Sequence, residues 1–410
     1  MAAVTIVDVS YVAAPQHAPI KLNAMEAQWV VAPVLQYLLL FDAGGDECQL
    51  PPFHDIVQSL RSSLAATLNT HAPLAGKIHY LADTGDVAIC CSTAGDEGGG
   101  VRFVVAETDA DAGRLARDED HDVLTFERLV PEVDMTTLPA PVLAVQATRL
   151  SAEEVVVGSP SGSPCTTPSP TAGRFGGSSR RGRRPAAGTR RPSRLRASTA
   201  HVSSYLAGTN SHEPSCASTR RTCHWYVTTT PEVSQQDRLT RRTFILDAAQ
   251  IARLKETIVA ETQGGRAPST FVAVIALLWT SSVRGRSIPP DDDVFLFFFA
   301  DLRHRLDPPA GTDYFGACLA ACLAMLPARE LHADGALVTA AAAVQGTIQK
   351  MADDPLGFWP GWEFLNMPGY GDRTVGSPCS GRVMNVSGIL GSGRTRPATS
   401  GGGGRGGRRT

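Results

Sequence analysis

A chain of 410 residues has room for two or three ordinary domains, or for two similar halves around one cleft, so a core-poor or disulfide-stapled miniprotein is excluded. With 43% hydrophobic and 19% charged residues and a formal charge of −2, the average composition is that of a neutral soluble globular protein. The charge is unevenly placed: Gly158 to Thr222 holds eleven Arg and one acid, Ile389 to Thr410 holds five Arg and no acid, and the remaining 323 residues carry about −17.

Pro51 and Pro52 precede Phe53, Ile56, Val57, Leu60, Leu64 and Leu68, whose three- and four-residue spacing predicts an amphipathic helix. Val101 to Val105 and Val142 to Thr148 read as strands, and Val155 to Val157 begin another. After Gly158 the apolar periodicity stops for about sixty residues rich in Ser, Pro, Gly, Thr and Arg, a composition that cannot offset the entropy of ordering and is expected to be disordered. Order resumes near Cys223. Thr243 to Leu246 reads as a strand, Asp247 caps a helix carrying Ile251, Leu254 and Ile258, and Ser269 starts another through Phe271, Ile275, Leu278 and Trp279. Val294 to Ala300 predicts a strand buried on both faces, and Ala336 to Met351 an alanine-rich helix.

Strands and helices alternate on both sides of the basic stretch, which predicts an α/β protein of two halves rather than one continuous sheet. The boundaries drawn are 1–157 and 223–388 for the halves, 158–222 for the insert and 389–410 for a basic, disordered tail. No run reaches the roughly eighteen apolar residues that span a bilayer, and Met1 to Pro15 lacks the pattern of a signal peptide, so a cytoplasmic protein without a membrane partner is expected. The nine cysteines include no CxxC pair: Cys90 and Cys91 are adjacent, and Cys318 and Cys322 are four apart, which reads as buried free thiols and no metal site. Arg180-Arg181-Gly-Arg-Arg184 and Arg190-Arg191 would attract phosphate, but only Phe175 and Tyr205 supply aromatics in the insert, so solvated charge is favoured over specific nucleic-acid binding.

Several segments in order resemble the BAHD acyltransferases, plant enzymes that move an acyl group from coenzyme A to an alcohol or amine. They are Leu68-Asn-Thr-His-Ala-Pro-Leu-Ala-Gly-Lys77, Leu143-Ala-Val-Gln-Ala-Thr148, Pro268-Ser-Thr-Phe-Val-Ala-Val-Ile-Ala-Leu-Leu-Trp279, Asp301-Leu-Arg-His-Arg-Leu-Asp-Pro-Pro309, Tyr314-Phe-Gly-Ala-Cys318 and Asn385-Val-Ser-Gly388. The resemblance implies two chloramphenicol-acetyltransferase-like domains of mixed sheet and helices, with a channel between them and acyl-CoA as co-substrate. Tyr-Phe-Gly-x-Cys looks like the clade that malonylates anthocyanin, flavonoid or phenolic glucosides, which implies malonyl-CoA as donor, a small glucoside acceptor and a monomer.

An alcohol is a poor nucleophile toward a thioester at pH 7, so the chemistry needs a general base and donors for the developing oxyanion. The family uses the histidine of His-x-x-x-Asp, placed after the strand that follows Gln-x-Thr. Here that place is Gly158-Ser-Pro-Ser-Gly-Ser-Pro-Cys-Thr-Thr167, without histidine. His79-Tyr-Leu-Ala-Asp83 matches the spacing but lies too early, and reads as a satisfied surface histidine. The family's Asp-Phe-Gly-Trp-Gly is also absent, Ile389-Leu-Gly-Ser-Gly and Gly401 to Gly404 standing after Gly388.

Both losses fall in the arginine-rich segments, which look like coding DNA read in a displaced frame. A codon that starts on the third base of one residue ends with the first two bases of the next. Across Thr166 to Ala172 those pairs permit His-His-Ala-Val-Ala-Asp-Gly, and across Thr399 to Gly403 they permit Asp-Phe-Gly-Trp-Gly. One displacement restores both signatures in their expected places, the leading base of each codon being free.

No catalytic residue of the family is retained, and six positions remain as acyl-CoA or channel candidates. Asp301 and Arg303 are placed by the resemblance at the domain interface; an ordinary surface ion pair is the alternative. Ser269 and Thr270 read as helix caps or as groups facing coenzyme A phosphates. Asn385 and Ser387 form a glycosylation triplet, or by resemblance line the donor side of the channel. The resulting expectation is an acyltransferase scaffold, inactive as written. The alternatives are a non-catalytic coenzyme A or phenolic-binding paralogue and, least favoured, an arginine-rich RNA adaptor.

Overall fold

The computed structural model describes residues 3–31, 35–41, 51–91, 99–117, 120–121, 123–134, 137–151, 155–161, 241–242, 244–262, 267–307, 309–310, 314, 316–355 and 382–390. Residues 162–222 of the basic insert and the tail from 391 lie outside the described residues, and with them the expectation of disorder there; so do 223–240, where order was expected to resume.

The N-terminal half runs β1 (Val4–Val12), β2 (Ile20–Lys21), a short helix α1 (Ala24–Ala27) continued by a tight turn (Gln28–Val31), β3 (Leu35–Phe41), α2 (Phe53–Thr70), β4 (Lys77–Leu81), β5 (Asp86–Cys90), β6 (Val101–Thr108), α3 (Ala112–Arg117), β7 (Asp120–His121), α4 (Val123–Arg128), β8 (Ala140–Pro141), β9 (Ala144–Arg149) and β10 (Val155–Ser161). Five of these strands form one sheet in the order β1-β6-β9-β10-β3, mixed because β6 and β9 are parallel and the other pairs antiparallel. A second sheet has the order β2-β5-β4-β8. The predicted stripe of α2 is real: Val57, Leu64 and Leu68 are buried and join Phe103 and Val105 of β6 in one apolar cluster. Each such side chain contributes about 1.5–3 kcal/mol by leaving water.

The C-terminal half runs β11 (Arg241–Arg242), α5 (Ala248–Glu261), α6 (Thr270–Arg284), β12 (Asp293–Asp301), β13 (Leu319–Pro327), α7 (Ala328–His332), α8 (Ala336–Asp353) and β14 (Val383–Leu390). Here β12 is the middle strand, antiparallel to β13 and parallel to β14. Its phenylalanines divide by the two-residue alternation of a strand. Phe298 turns to the helices and meets Phe271 of α6 edge-on at 5.5 Å, while Phe297 and Phe299 take the other face with Ala321 and Leu323. Val294, Leu296, Phe298 and Ala300 join Trp279, Val344 and Met351 in the largest core.

Local signals held where the sequence carried them. Asp247 and Gln250 form a reciprocal capping box, the Asp247 carboxylate accepting from the Gln250 amide at 2.7 Å and the Gln250 side chain accepting from the Asp247 amide at 2.8 Å. Ser269 caps α6, its hydroxyl accepting from the Val272 amide at 3.2 Å. The strand expected at Thr243 to Leu246 is not there. Phe244, Ile245 and Leu246 are exposed and irregular, while Arg241 and Arg242 pair instead with β7. A strand forms only beside a partner that takes its backbone hydrogen bonds, and the described residues place none next to these three. The boundary drawn at 157 falls inside β10, which continues to Ser161.

Among the described residues no helix is long and apolar enough to cross a membrane.

Candidate functional site

The end of β12 carries a polar group held on several sides. Arg303 is 5% exposed, and its guanidinium donates to the Asp301 carboxylate at 2.8 Å, the Tyr314 carbonyl at 3.2 Å and the Gly316 carbonyl at 2.9 Å. The Arg303 amide donates back to the other Asp301 oxygen at 2.9 Å, and Arg305 donates to the Asp301 carbonyl. The surface ion-pair reading is therefore corrected. The arginine is buried and its aspartate partly so, and the arginine is spent on fixing the loop from Tyr314 to Gly316.

That loop reaches the N-terminal half. The Tyr314 hydroxyl donates to Glu26 Oε1 at 2.6 Å and accepts from Asn23 Nδ2 at 2.8 Å. The Asn23 amide donates to Glu26 Oε2 at 3.0 Å and the Glu26 amide to Asn23 Oδ1 at 3.1 Å, so α1 closes a box on itself while its carboxylate grips the tyrosine. Burial raises the Glu26 carboxyl to about 7 against the lowering effect of its hydrogen bonds to Tyr314 and Asn23. Burial and the neighbouring Glu26 push the Tyr314 phenol upward. Cys318 sits just beyond, pushed up to about 12 by burial despite the opposing pull of Arg303, so it is a protonated thiol and no nucleophile at neutral pH. In the sequence Tyr314 stands out only as part of a motif, and Asn23 and Glu26 do not stand out at all. The available signal was the carboxylate of Glu26 in the otherwise uncharged run from Leu22 to Val34.

The other candidates stand elsewhere. Ser269 is spent on its cap and Thr270 is the first residue of α6, on the helical side of β12. Asn385 is exposed on β14 directly opposite Phe297, hence on the sheet face turned away from those helices; Ser387 belongs to the same strand. The six positions thus fall in three places, and the structure joins only Asp301 with Arg303.

The Gln-x-Thr strand is structural. Gln146 is buried and donates to the Arg128 carbonyl and to Thr148 Oγ1, both at 3.0 Å, tying β9 to the end of α4. The following strand, β10, is where the resemblance puts the approach to the general base. Gly158 there leaves no space for a side chain, since a Cβ would fall 1.9 Å from the Leu129 carbonyl oxygen, and Ser159 donates to the Ala144 carbonyl at 2.9 Å. None of Gly158, Ser159, Pro160 and Ser161 offers an acid or base, and 162–167 lie outside the described residues.

His79 is not the satisfied surface histidine expected. It is half-buried on β4, its Nε2 is buried without a hydrogen-bond partner, and burial together with Lys77 lowers its proton affinity. Among the described residues no group of three His, Cys, Asp or Glu could hold a metal.

These features can be set beside known proteins. The model of the family described as Transferase family matches residues 45–160 and 201–358. The chain belongs to this family, the BAHD acyltransferases. It is 32% identical over 123 residues to the agmatine coumaroyltransferase of Arabidopsis thaliana, covering 30% of this chain and 27% of that protein. It is 23% identical over 385 residues to the malonyl-coenzyme A:anthocyanin 3-O-glucoside-6''-O-malonyltransferase of Dahlia pinnata, covering 91% of this chain and 80% of that one. Its fold is similar to that of vinorine synthase, with a TM-score of 0.55 at 15% identity over 93% of this chain and 83% of the other. The mixed α/β architecture is thus that of the BAHD fold.

Proposed function

We propose that this chain is a BAHD scaffold for moving an acyl group, malonyl by preference, from coenzyme A to a hydroxyl of a phenolic or flavonoid glucoside, and that it lacks the general base for that transfer. In the reaction the acceptor oxygen attacks the thioester carbonyl, the base takes the hydroxyl proton, and the coenzyme A sulfur leaves and is protonated. The carrying observation is Gly158 to Thr167, ten residues without an imidazole or carboxylate at the place where the family's base belongs. The family match stops at 160 and resumes at 201, which supports placing the loss there. The similarity to the Dahlia malonyltransferase, together with Tyr314-Phe-Gly-Ala-Cys318, supports the choice of donor and acceptor. We attribute both missing signatures to one displacement of the reading frame.

The test is a transfer assay with malonyl-CoA and a phenolic glucoside. The 410-residue chain is expected to turn over at background, and a version re-read in the displaced frame at both segments to gain about 10²–10⁴-fold, the usual contribution of a positioned base. Efficient turnover by the unaltered chain would overturn the reading, as would coding bases that cannot spell the two signatures. Thermal stabilisation by coenzyme A without turnover would identify the chain as a binder that has lost its chemistry.

A further inference from the structure

One short stretch of the N-terminal half, Asn23 to Val30, is built into three clusters at once. Met25 is fully buried in the C-terminal core beside Trp279 and Leu302, Trp29 meets Phe299 edge-on at 4.8 Å, and Val30 packs in the N-terminal core. Between these apolar anchors stands Glu26, a carboxyl in full burial, joined by its hydrogen bonds to a tyrosine 288 residues away. Nothing larger than a hydrogen fits at Gly316, where a Cβ would come within 1.8 Å of Glu26 Oε1 and 2.5 Å of the Tyr314 hydroxyl oxygen. Arg303 holds that loop from behind.

We propose that Asn23, Glu26 and Tyr314 form a pH-sensitive latch between the halves, closed when the Glu26 carboxyl carries its proton and loosened when it ionises. The proposal is independent of the transferase reading. Its basis is the set of groups around the carboxyl. Tyr314 faces it from the loop and Cys318 stands beside it just before β13, while Asp301 and Arg303, at the end of β12, act on Cys318. Of the cations there, Arg303 is paired with Asp301 and Arg305 donates to the Asp301 carbonyl, and no ion pair to Glu26 is formed among the described residues. Both accepted hydrogen bonds survive protonation, because each oxygen of a neutral carboxyl keeps an accepting lone pair. Ionisation therefore adds a buried, unpaired charge and gains no new partner.

Burial supports the direction, raising the carboxyl from 4.5 to about 7. A group whose folded value is raised contributes stability that is fully present below the unfolded value and is lost as the pH rises through the folded one, so the window runs from about 4.5 to about 7. Opening of the Asn23 to Val30 stretch should become on the order of 10- to 100-fold more frequent between pH 5 and pH 8.

The test measures hydrogen exchange of the peptide containing Met25 to Trp29, corrected for the intrinsic rate, in the full chain from pH 5 to pH 8. Protection should fall with pH in the wild type and stay level in Glu26→Gln, which cannot ionise. In Tyr314→Phe, which removes the bond that favours the ionised form, the midpoint should move to higher pH. If Glu26→Gln fails to fold, the Tyr314→Phe midpoint alone decides. Equal pH dependence in wild type and Glu26→Gln, or an unmoved midpoint in Tyr314→Phe, overturns the latch.

Discussion

In the C-terminal half, β12 lies between two neighbours with α6 and α8 packed over one face, and Leu296, Phe298 and Trp279 are fully buried. In the N-terminal half, β6 and β9 are buried to the same degree, yet the strands outside them leave Ile6, Val7, Val9 and Tyr11 of β1 and Tyr37, Leu39 and Phe41 of β3 exposed. All these strands are apolar in sequence, so hydrophobicity does not separate them. Place in the sheet does: an inner strand is paired on both sides, and an outer strand offers one open edge and a half-covered face. The C-terminal half is therefore a unit in which each group depends on several others, while the N-terminal sheet carries apolar residues that are largely dispensable for stability.

The sharpest way to break this contrast is Arg303→Ala. It leaves the partly buried Asp301 carboxylate without its ion-pair partner and strips two loop carbonyls of their donor, and removing one member of a buried pair costs up to about 3–5 kcal/mol. A urea midpoint followed through Trp279, fully buried in the same core, should fall accordingly. A shift of only a few tenths of a kcal/mol would mean that the loop from Tyr314 to Gly316 holds its shape without the guanidinium, and that the dependence argued for this half is absent.

What could be read from the sequence follows the range of the interaction. The caps at Asp247 and Ser269 and the spacing of the α2 stripe are set by residues three or four apart along one helix, so each is written in a short stretch of sequence. The strand at Thr243 to Leu246 was misread because a strand needs a neighbour that composition does not name. The Glu26–Tyr314 contact was invisible for the same reason on a larger scale: only the folded chain brings positions 26 and 314 together. Asp301 and Arg303 were legible as a pair but not as a buried one, since burial is set by β13 and the following loop, not by the dipeptide itself.

Gly158→Ala tests the inner edge of the N-terminal sheet. A Cβ at this position would meet the Leu129 carbonyl at 1.9 Å, and backbone cannot step aside as a side chain can. Overpacking of this kind costs about 1–3 kcal/mol. Thermal melting should show the loss. An unchanged melting point would show that β10 and the end of α4 are not in firm contact and that the buried part of this sheet is smaller than described.

The smallest effect is expected at Val7→Lys, and the size is the point. Val7 stands at the register shift between Ile6 and Asp8 where β1 pairs with β6, so its backbone is already out of the ladder, and its side chain is 58% exposed. Stability should change by no more than about 0.5 kcal/mol, the range of surface substitutions away from special features. Solubility should rise, because a charge on an open apolar edge opposes strand-to-strand association between copies. Light scattering at increasing concentration separates the two effects: the variant should remain monodisperse where the parent chain begins to associate, with superimposable denaturation curves. Loss of stability with no gain in solubility would mean that β1 is covered in solution, and the contrast between a dependent half and a tolerant one would then have to be redrawn at this strand.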